Sequence, residues 1–415
     1  MKQSTPLLKK DDITGICARA LQQASLDDKK VLFIIPDNTR SGPVDIIFRI
    51  LYEQLAEVVK NLDFIIALGT HHPLSEPAIN RRLGITAAER QTRYSKARFF
   101  NHAWNDPSQL APLGKITSAE VAEMSDGMMS QEVSITINKM VMEYDVLIIL
   151  GPVFPHEVVG FSGGNKYLFP GIAGKEIIDM FHWLGALITN PAIIGKKHTP
   201  VRKIVDRAAS MVPVDRLCFS MVVSGNDLAG LYFGTPEEAW NEAADLSERL
   251  HIVYKDYPFH SILSCAPEMY DDLWVGGKCM YKLEPVVADG GELIIYAPHI
   301  TTISATHGEI IRKIGYHTRD YFLKQPEKYG KIPGGVKAHS THVRGIGTYE
   351  NGVESPRIRV TLATGIPEEI CSEINLGYRD PVTIDQNDWK NRESEGIFYV
   401  QKAGETLYRL KNDPF

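Results

Sequence analysis

The chain has 415 residues, which at roughly 100–200 residues per domain implies two or three domains. It is 44% hydrophobic, 23% charged and 9% aromatic, with 33 Gly and 24 Pro. That composition excludes a disordered, collagen-like or disulfide-stapled chain. With 45 Lys and Arg against 51 Asp and Glu, the net charge is −6, so the molecule as a whole offers no electrostatic footprint for nucleic acid.

No apolar run approaches the ~18 residues needed to cross a bilayer, and the opening MKQSTPLLKKDD lacks the continuous apolar core of a secretory signal. Cys17, Cys218, Cys265, Cys279 and Cys371 are scattered and odd in number, with no C-x-x-C spacing. They read as reduced thiols, so a cytoplasmic location is expected, with no membrane and no nucleic acid among the partners.

In chain order, KVLFII at 30–35 is a buried strand that stops at Pro36, and DIIFRILYEQLAEVVK at 45–60 repeats its apolar residues at helical spacing. LDFIIAL at 62–68 is a second strand ending at Gly69. Strand, helix and strand with short connections form a βαβ unit, which calls for a parallel sheet covered by helices. A further strand is expected at 144–150, followed by an irregular stretch from Gly151 to Gly174. Residues 235–250 predict a helix with Thr235 as its N-cap and Pro236 at its first position.

The pattern restarts near 256. FHSILSCA at 259–266 predicts a strand, 271–287 a helix, ELIIYA at 292–297 another strand, and the final GIFYVQKAGETLYRL a hairpin closing at Ala403-Gly404. The expected architecture is therefore α/β: two α/β domains with mostly parallel sheets and an active-site cleft between them. The expected boundaries are 1–255 and 256–415, the first domain binding cofactor and carrying catalysis, the second closing over the substrate. The final segment has the option of packing back on the first domain.

Function in open α/β sheets collects at loops leaving the carboxyl ends of strands, and three such loops carry unusual residues. Pro36-Asp37-Asn38-Thr39-Arg40 offers an arginine fork suited to a carboxylate or phosphate, or else a plain Asx turn with a surface charge. Gly69-Thr70-His71-His72-Pro73 offers a base near neutral pH, or else a helix-capping histidine. The densest loop runs from Pro155-His156-Glu157 through Gly160-Phe161-Ser162-Gly163-Gly164-Asn165-Lys166 to Pro170-Gly171-Ile172-Ala173-Gly174. There the amides of Gly163 and Gly164 could cradle a phosphate with Lys166 at the lip. The alternative is a glycine-rich surface loop.

Two familiar motifs fit poorly. The loop lacks the Walker spacing. Gly160-Phe161-Ser162-Gly163-Gly164 satisfies G-x-S-x-G, yet two glycines, Pro170 and Gly171 follow where a hydrolase needs a helix. A serine hydrolase using Ser162 remains an alternative reading, as does a non-catalytic binding protein on the same scaffold. No H-E-x-x-H zinc helix occurs, although a single histidine ligand completed by a non-protein cofactor would escape such spacing rules.

Together, D-x-T-R at 37–40, G-T-H at 69–71, P-H-x-x-x-G-x-S-G-G-x-K at 155–166 with P-G-I-A, and His182 downstream resemble the nickel-pincer nucleotide lactate racemase family. The resemblance is strong over the N-terminal half and looser beyond. It implies a nickel-pincer nucleotide, in which nickel is bound to a pyridinium-3,5-bisthiocarboxylic acid mononucleotide attached covalently at Lys166. His182 would be the protein ligand to nickel, and Asp37, Ser162, Gly163 and Gly164 would help bind the cofactor. His71 and His156 would be the acid/base pair, with Arg40 and Lys278 holding the substrate. The implied reaction is racemisation or epimerisation of a 2-hydroxy acid. One histidine takes the hydroxyl proton, the α-hydrogen leaves as hydride, and the flat keto acid is reduced from its other face. Cofactor maturation enzymes are the implied partners, and self-association as a homo-oligomer stays open.

Lactate-active members of that family carry a glutamine three residues before the C-terminal lysine, where this chain has Val275. The substitution argues for a substrate other than lactate. Tyr296, His299, Thr301, Thr302, Ser304 and His307 follow the next strand and would suit a sugar acid, unless they serve only to cap the next helix.

Overall fold

The run KVLFII forms the strand Lys30–Pro36, buried at every position after Lys30, as expected of a strand covered on both faces. It lies at the centre of a six-stranded sheet in a computed structural model that describes residues 6–415. The first five residues, at the start of the expected first domain and of the stretch tested for a leader, lie outside the described residues. In spatial order the strands are Asp227–Gly234, Asp215–Ser224, Val146–Pro152, Lys30–Pro36, Asn61–Ala67 and Ala97–Asn101. All pair in parallel except Asp227–Gly234, which is antiparallel at one edge.

Register puts Phe33 beside Phe64 and Phe64 beside Phe99, and their rings stack at 5.1 and 5.4 Å. Phe48, from the helix Val44–Leu55, meets Phe64 edge-on at 5.2 Å. Such contacts contribute about 0.5–1.5 kcal/mol each beyond area burial. The helix ends five residues before the apolar pattern does. The backbone of 58–60 is instead hydrogen-bonded to Asp28 and Lys29, which aligns the next strand. Thr235 caps the helix Pro236–His251 through a reciprocal bond with Glu238, as its sequence implies.

This sheet belongs to the first of two compact units, made of Met1–Phe154, Phe161–Ile178 and Arg202–Leu250. Lys30–Pro36 pairs with the next strand in sequence on one side and with Val146–Pro152 on the other. The strand order reverses there, and in open α/β sheets ligands bind at the carboxyl ends flanking such a reversal.

The second unit comprises Pro155–Gly160, Asp179–Val201 and His251–Phe415. Its sheet has five parallel strands in the order Gly377–Tyr378, Arg359–Thr364, Val287–Ala297, Phe259–Cys265 and Ile397–Val400. Here the order reverses at Phe259–Cys265, whose carboxyl end leads to Lys278.

Two local expectations are corrected. Residues 271–287 do not form one helix but two single turns, Leu273–Gly276 and Lys278–Tyr281, and a 3-10 turn at Glu284–Val286. Gly276-Gly277 and Pro285 interrupt the ladder. The C-terminal segment is not a hairpin: Ile397–Val400 joins the five-stranded sheet, while Leu407–Leu410 pairs in parallel with Ile252–Lys255. Each strand has its own apolar partner, Phe398 stacking on Phe259 at 4.7 Å and Leu407 being fully buried. Among the described residues, no helix is long and apolar enough to cross a membrane.

Candidate functional site

The three loops of the first unit are fastened to one another. Asp37, directly after Lys30–Pro36, is buried, and its Oδ1 accepts from the Thr39 amide and hydroxyl at 3.0 and 2.8 Å. Its Oδ2 accepts from His71 Nδ1 at 2.5 Å, which joins the first loop to the second. The Gly69 amide donates to the Gly171 carbonyl at 3.0 Å, which joins the second loop to the third. The P-G-I-A stretch is held again by Asn138, whose amide donates to Ile172, and by His102, whose Nε2 donates to the Ala173 carbonyl at 2.9 Å.

Burial raises the Asp37 carboxyl pKa. The His71 charge and hydrogen bond, the Arg40 charge and the Thr39 bond outweigh it and hold the group well below the ordinary carboxylate range. Asp37 is therefore a fixed anion, and an anion can only accept. His71 accordingly carries a proton on Nδ1, and its neutral form has the lone pair on Nε2, an assignment made from the partner's chemistry. Its side chain is 29% exposed, open enough for a substrate to reach.

Lys166 lies half-buried on the 3-10 turn Gly164–Tyr167. The next ring, Tyr167, lies flat against Gly151, where a Cβ would sit 2.2 Å from it. Its phenol is within electrostatic reach of Arg40, Asp37 and Arg82, and burial pushes its pKa up. Gly163 and Gly164 have φ of 88° and 56°. A Cβ at Gly163 would fall 2.5 Å from Val153, and one at Gly164 would fall 2.9 Å from Trp240. Close packing thus demands these glycines whatever their amides bind.

Beneath this turn lies a polar support that the sequence does not announce. Arg202 lies 4.1 Å over the Trp240 ring and donates to the carbonyls of Phe161 and Gly163. Asn165 Nδ2 donates to Asp206 at 3.0 Å and to Glu237 at 2.6 Å. Ser162 completes it: its hydroxyl accepts from the Phe154 amide at 2.9 Å and donates to the Pro152 carbonyl at 3.2 Å. A buried serine bonded to backbone on both sides, on a loop that runs into a 3-10 turn, is no nucleophile elbow. The hydrolase alternative loses its geometric basis.

The second unit holds His156, His182 and Lys278. His156 is buried on the short strand Pro155–His156, and Lys282 donates to the Pro155 carbonyl beside it. Its Nδ1 accepts from the Val158 amide at 3.1 Å and lies 3.4 Å from Glu157 Oε2. A backbone amide cannot give up its hydrogen, so Nδ1 holds the lone pair and Nε2 holds the proton. The longer carboxylate contact stabilises the doubly protonated ring only when it forms. His182, on the helix Lys175–Ile188, is half-buried with its ring on Phe181 at 4.5 Å. Lys278 is 8% exposed, its Nζ 4.8 Å from the centre of the Tyr270 ring.

Among the residues after the 292–297 strand, Ser304 accepts from the His307 amide at 3.1 Å, while the next helix, Gly308–Ile314, has no side-chain cap bond. His299 bonds the Tyr270 carbonyl at 3.0 Å, and His307 packs on Trp274 at 4.5 Å. Among the described residues, no three His, Cys, Asp or Glu side chains gather as a metal site. Sequence reasoning missed Arg82, Tyr167, Glu157, Arg202 and Trp240. Tyr167 and Glu157 adjoin Lys166 and His156 and could have been flagged by adjacency, whereas the other three carry no local signal.

Residues 13–194 match the lactate racemase N-terminal domain family. The chain is 24% identical over 287 residues to the lactate racemase of Thermoanaerobacterium thermosaccharolyticum, covering 68% of this chain and 63% of that one. It is 25% identical over 282 residues to the lactate racemase of Lactiplantibacillus plantarum, covering 67% and 62%. The matched part thus spans less than two thirds of either relative's length. The crystal structure of a protein from Thermotoga maritima superposes with a TM-score of 0.91 at 33% identity, covering 99% of this chain and 100% of that one. The lactate racemase apoprotein from Thermoanaerobacterium thermosaccharolyticum superposes with a TM-score of 0.72 at 17% identity over 98% and 95% of the two chains, a likeness of fold. Through residues 13–194 the chain is lactate racemase-like.

Proposed function

We propose that this chain is an isomerase, a racemase or epimerase of a 2-hydroxy acid, that works with a nickel-pincer nucleotide joined at Lys166. The observation that carries the reading is the Asp37–His71 pair: a buried, permanently charged carboxylate orients a half-exposed imidazole at 2.5 Å. It does so at the strand end where an α/β sheet gathers its ligands.

Several features fit the cofactor. Lys166 offers an amine on a turn whose support is rigid, His182 offers one imidazole, and the positive-φ pair Gly163-Gly164 brings backbone close to the same turn. When bound, the cofactor would accept and return the α-hydrogen as a hydride. The chain's own residues do the rest. His71, as the neutral ring, takes the hydroxyl proton at Nε2, and His156, doubly protonated with Glu157 Oε2 3.4 Å from its Nδ1, gives its Nε2 proton back to the opposite configuration and ends as the neutral ring. Arg40 and Lys278 hold the carboxylate, since a net charge of −6 makes attraction of an anionic substrate a local matter. Each positioned base contributes typically ~10²–10⁴-fold. Val275 in place of the family's glutamine favours a substrate larger than lactate, such as a sugar acid. A cytoplasmic location and dependence on maturation enzymes belong to the same reading.

Protein produced together with those maturation enzymes should carry stoichiometric nickel and an added mass on the Lys166 peptide. It should also interconvert the two configurations at C2 of a member of a 2-hydroxy acid panel. Full activity in nickel-free, unmodified protein would sink the proposal.

A further inference from the structure

Arg82 lies in the last turn of the helix Glu76–Leu83, which follows the G-T-H-H-P loop. Although the residue is partly exposed, its Nε and Nη2 are sealed from solvent, and neither has a hydrogen-bond partner among the described residues. A guanidinium presents five donors and stays charged, so two buried nitrogens with nothing to donate to are unusual. Arg82 feels the charges of Asp37 and Asp45 and lies within electrostatic reach of the Tyr167 phenol. Neither carboxylate accepts a hydrogen bond from those two nitrogens. Asp37 spends both oxygens on His71 and Thr39. Beside Gly84, Arg49 donates to the Gly84 carbonyl, and the Asp45 Cβ packs within 2.9 Å of where a Cβ at Gly84 would stand. Tyr167, which touches Gly151 at the reversal of strand order, is flanked electrostatically by Arg40 and Arg82 together.

We propose that Arg82 is a second anion-binding residue of the first unit's site, its guanidinium taking an oxyanion beside the one held by Arg40. A forked donor of this kind matches either a carboxylate or a phosphate. The oxyanion comes from the substrate or from the nucleotide of the cofactor, and only this choice of source rests on the proposed function.

The test uses the full chain without cofactor. Phenylglyoxal modification is followed residue by residue by fragmentation mass spectrometry, with exposed Arg81 as the internal control. Protection of Arg82 by inorganic phosphate assigns it to the nucleotide, and protection by 2-hydroxy carboxylates from glycolate to gluconate assigns it to the substrate. Protection by neither overturns the inference. In parallel, Arg82→Gln should weaken calorimetric binding of the protecting anion at least tenfold, with Arg82→Lys recovering part of it, whereas equal affinity overturns the inference. Should Arg82→Gln fail to fold, the wild-type protection pattern decides. An enzyme that lacks nickel yet shows protected Arg82 would sink the proposed function alone, and an active nickel enzyme with unprotected Arg82 would sink this inference alone.

Discussion

His71 in the first unit and His156 in the second are the same side chain held by opposite partners at Nδ1. Asp37 can only accept, so it leaves His71 with a proton on Nδ1 and a basic Nε2. The Val158 amide can only donate, so it leaves His156 with a basic Nδ1 and a proton on Nε2. The partner of Nδ1, a carboxylate in one unit and a backbone amide in the other, sets the polarity of each ring before any substrate arrives. In the proposed reaction His71 would serve as the base, and His156 would serve as the acid once doubly protonated beside Glu157. The lesson concerns where to look: the reactive nitrogen is explained by what holds the other one.

The sharpest way to break this comparison is Asp37→Asn. An amide can offer its N–H to Nδ1, which would move the proton of His71 to Nε2 and give both histidines the same polarity. We expect kcat per bound nickel to fall by about 10²–10⁴-fold, the usual worth of a positioned base, while the fold persists. Measured with the loaded enzyme, a loss smaller than tenfold would mean that the oriented pair is not the base.

The units also differ in how they bury neutral histidines. The first holds His102, where burial, only partly opposed by its bond to Ala173, depresses the pKa to about 4. The second holds His339 and His342, which burial depresses to about 3 and about 4. In each case the unfolded state, with a pKa of about 6.5, takes up a proton that the folded state refuses. The stability these groups contribute is complete above about pH 6.5 and is lost as pH falls towards the folded values. At about 1.4 kcal/mol per pKa unit, His102 accounts for roughly 3 kcal/mol, and His339 and His342 are two such groups in the second unit. Hydrogen exchange followed between pH 6.5 and 4 should show protection in the five-stranded sheet collapsing before that of the six-stranded sheet. The reverse order would show that carboxylates, not histidines, govern acid unfolding.

The contrast between what was and was not legible in the sequence follows the same physics. Lys30–Pro36, Asn61–Ala67 and Val146–Pro152 could be read because a parallel strand buried on both faces must be an unbroken apolar run. The loops after them could be read because residues that bind or react are concentrated there. The C-terminal hairpin was misread because Ile397–Val400 and Leu407–Leu410 alternate like paired strands, yet each finds a parallel partner well over a hundred residues upstream. Arg82 was invisible because Arg81 and Arg82 are identical in sequence and differ only in which face of a short helix they occupy. The cluster of Asn165, Arg202, Asp206, Glu237 and Trp240 was invisible for a related reason: it is assembled from three separate stretches of chain, and only the fold brings them together.

Ser162 offers the finest test, because the sequence motif and the structure assign it different work. As a nucleophile it would label with a fluorophosphonate, and its loss would abolish activity without touching stability. As the clasp between Pro152 and Phe154 it should not label at all. Ser162→Ala should then cost about 1–2 kcal/mol in urea unfolding, the ordinary net worth of two hydrogen bonds plus one amide left unsatisfied in a buried place. The released Phe154 amide lies just before His156, so a looser clasp should also raise hydrogen exchange at 153–158 without changing exchange at the Asp37–His71 pair. Equal loosening in both places would mean that the loops of the first unit answer to Ser162 as a whole, and that the two histidines are less independently held than their separate partners suggest.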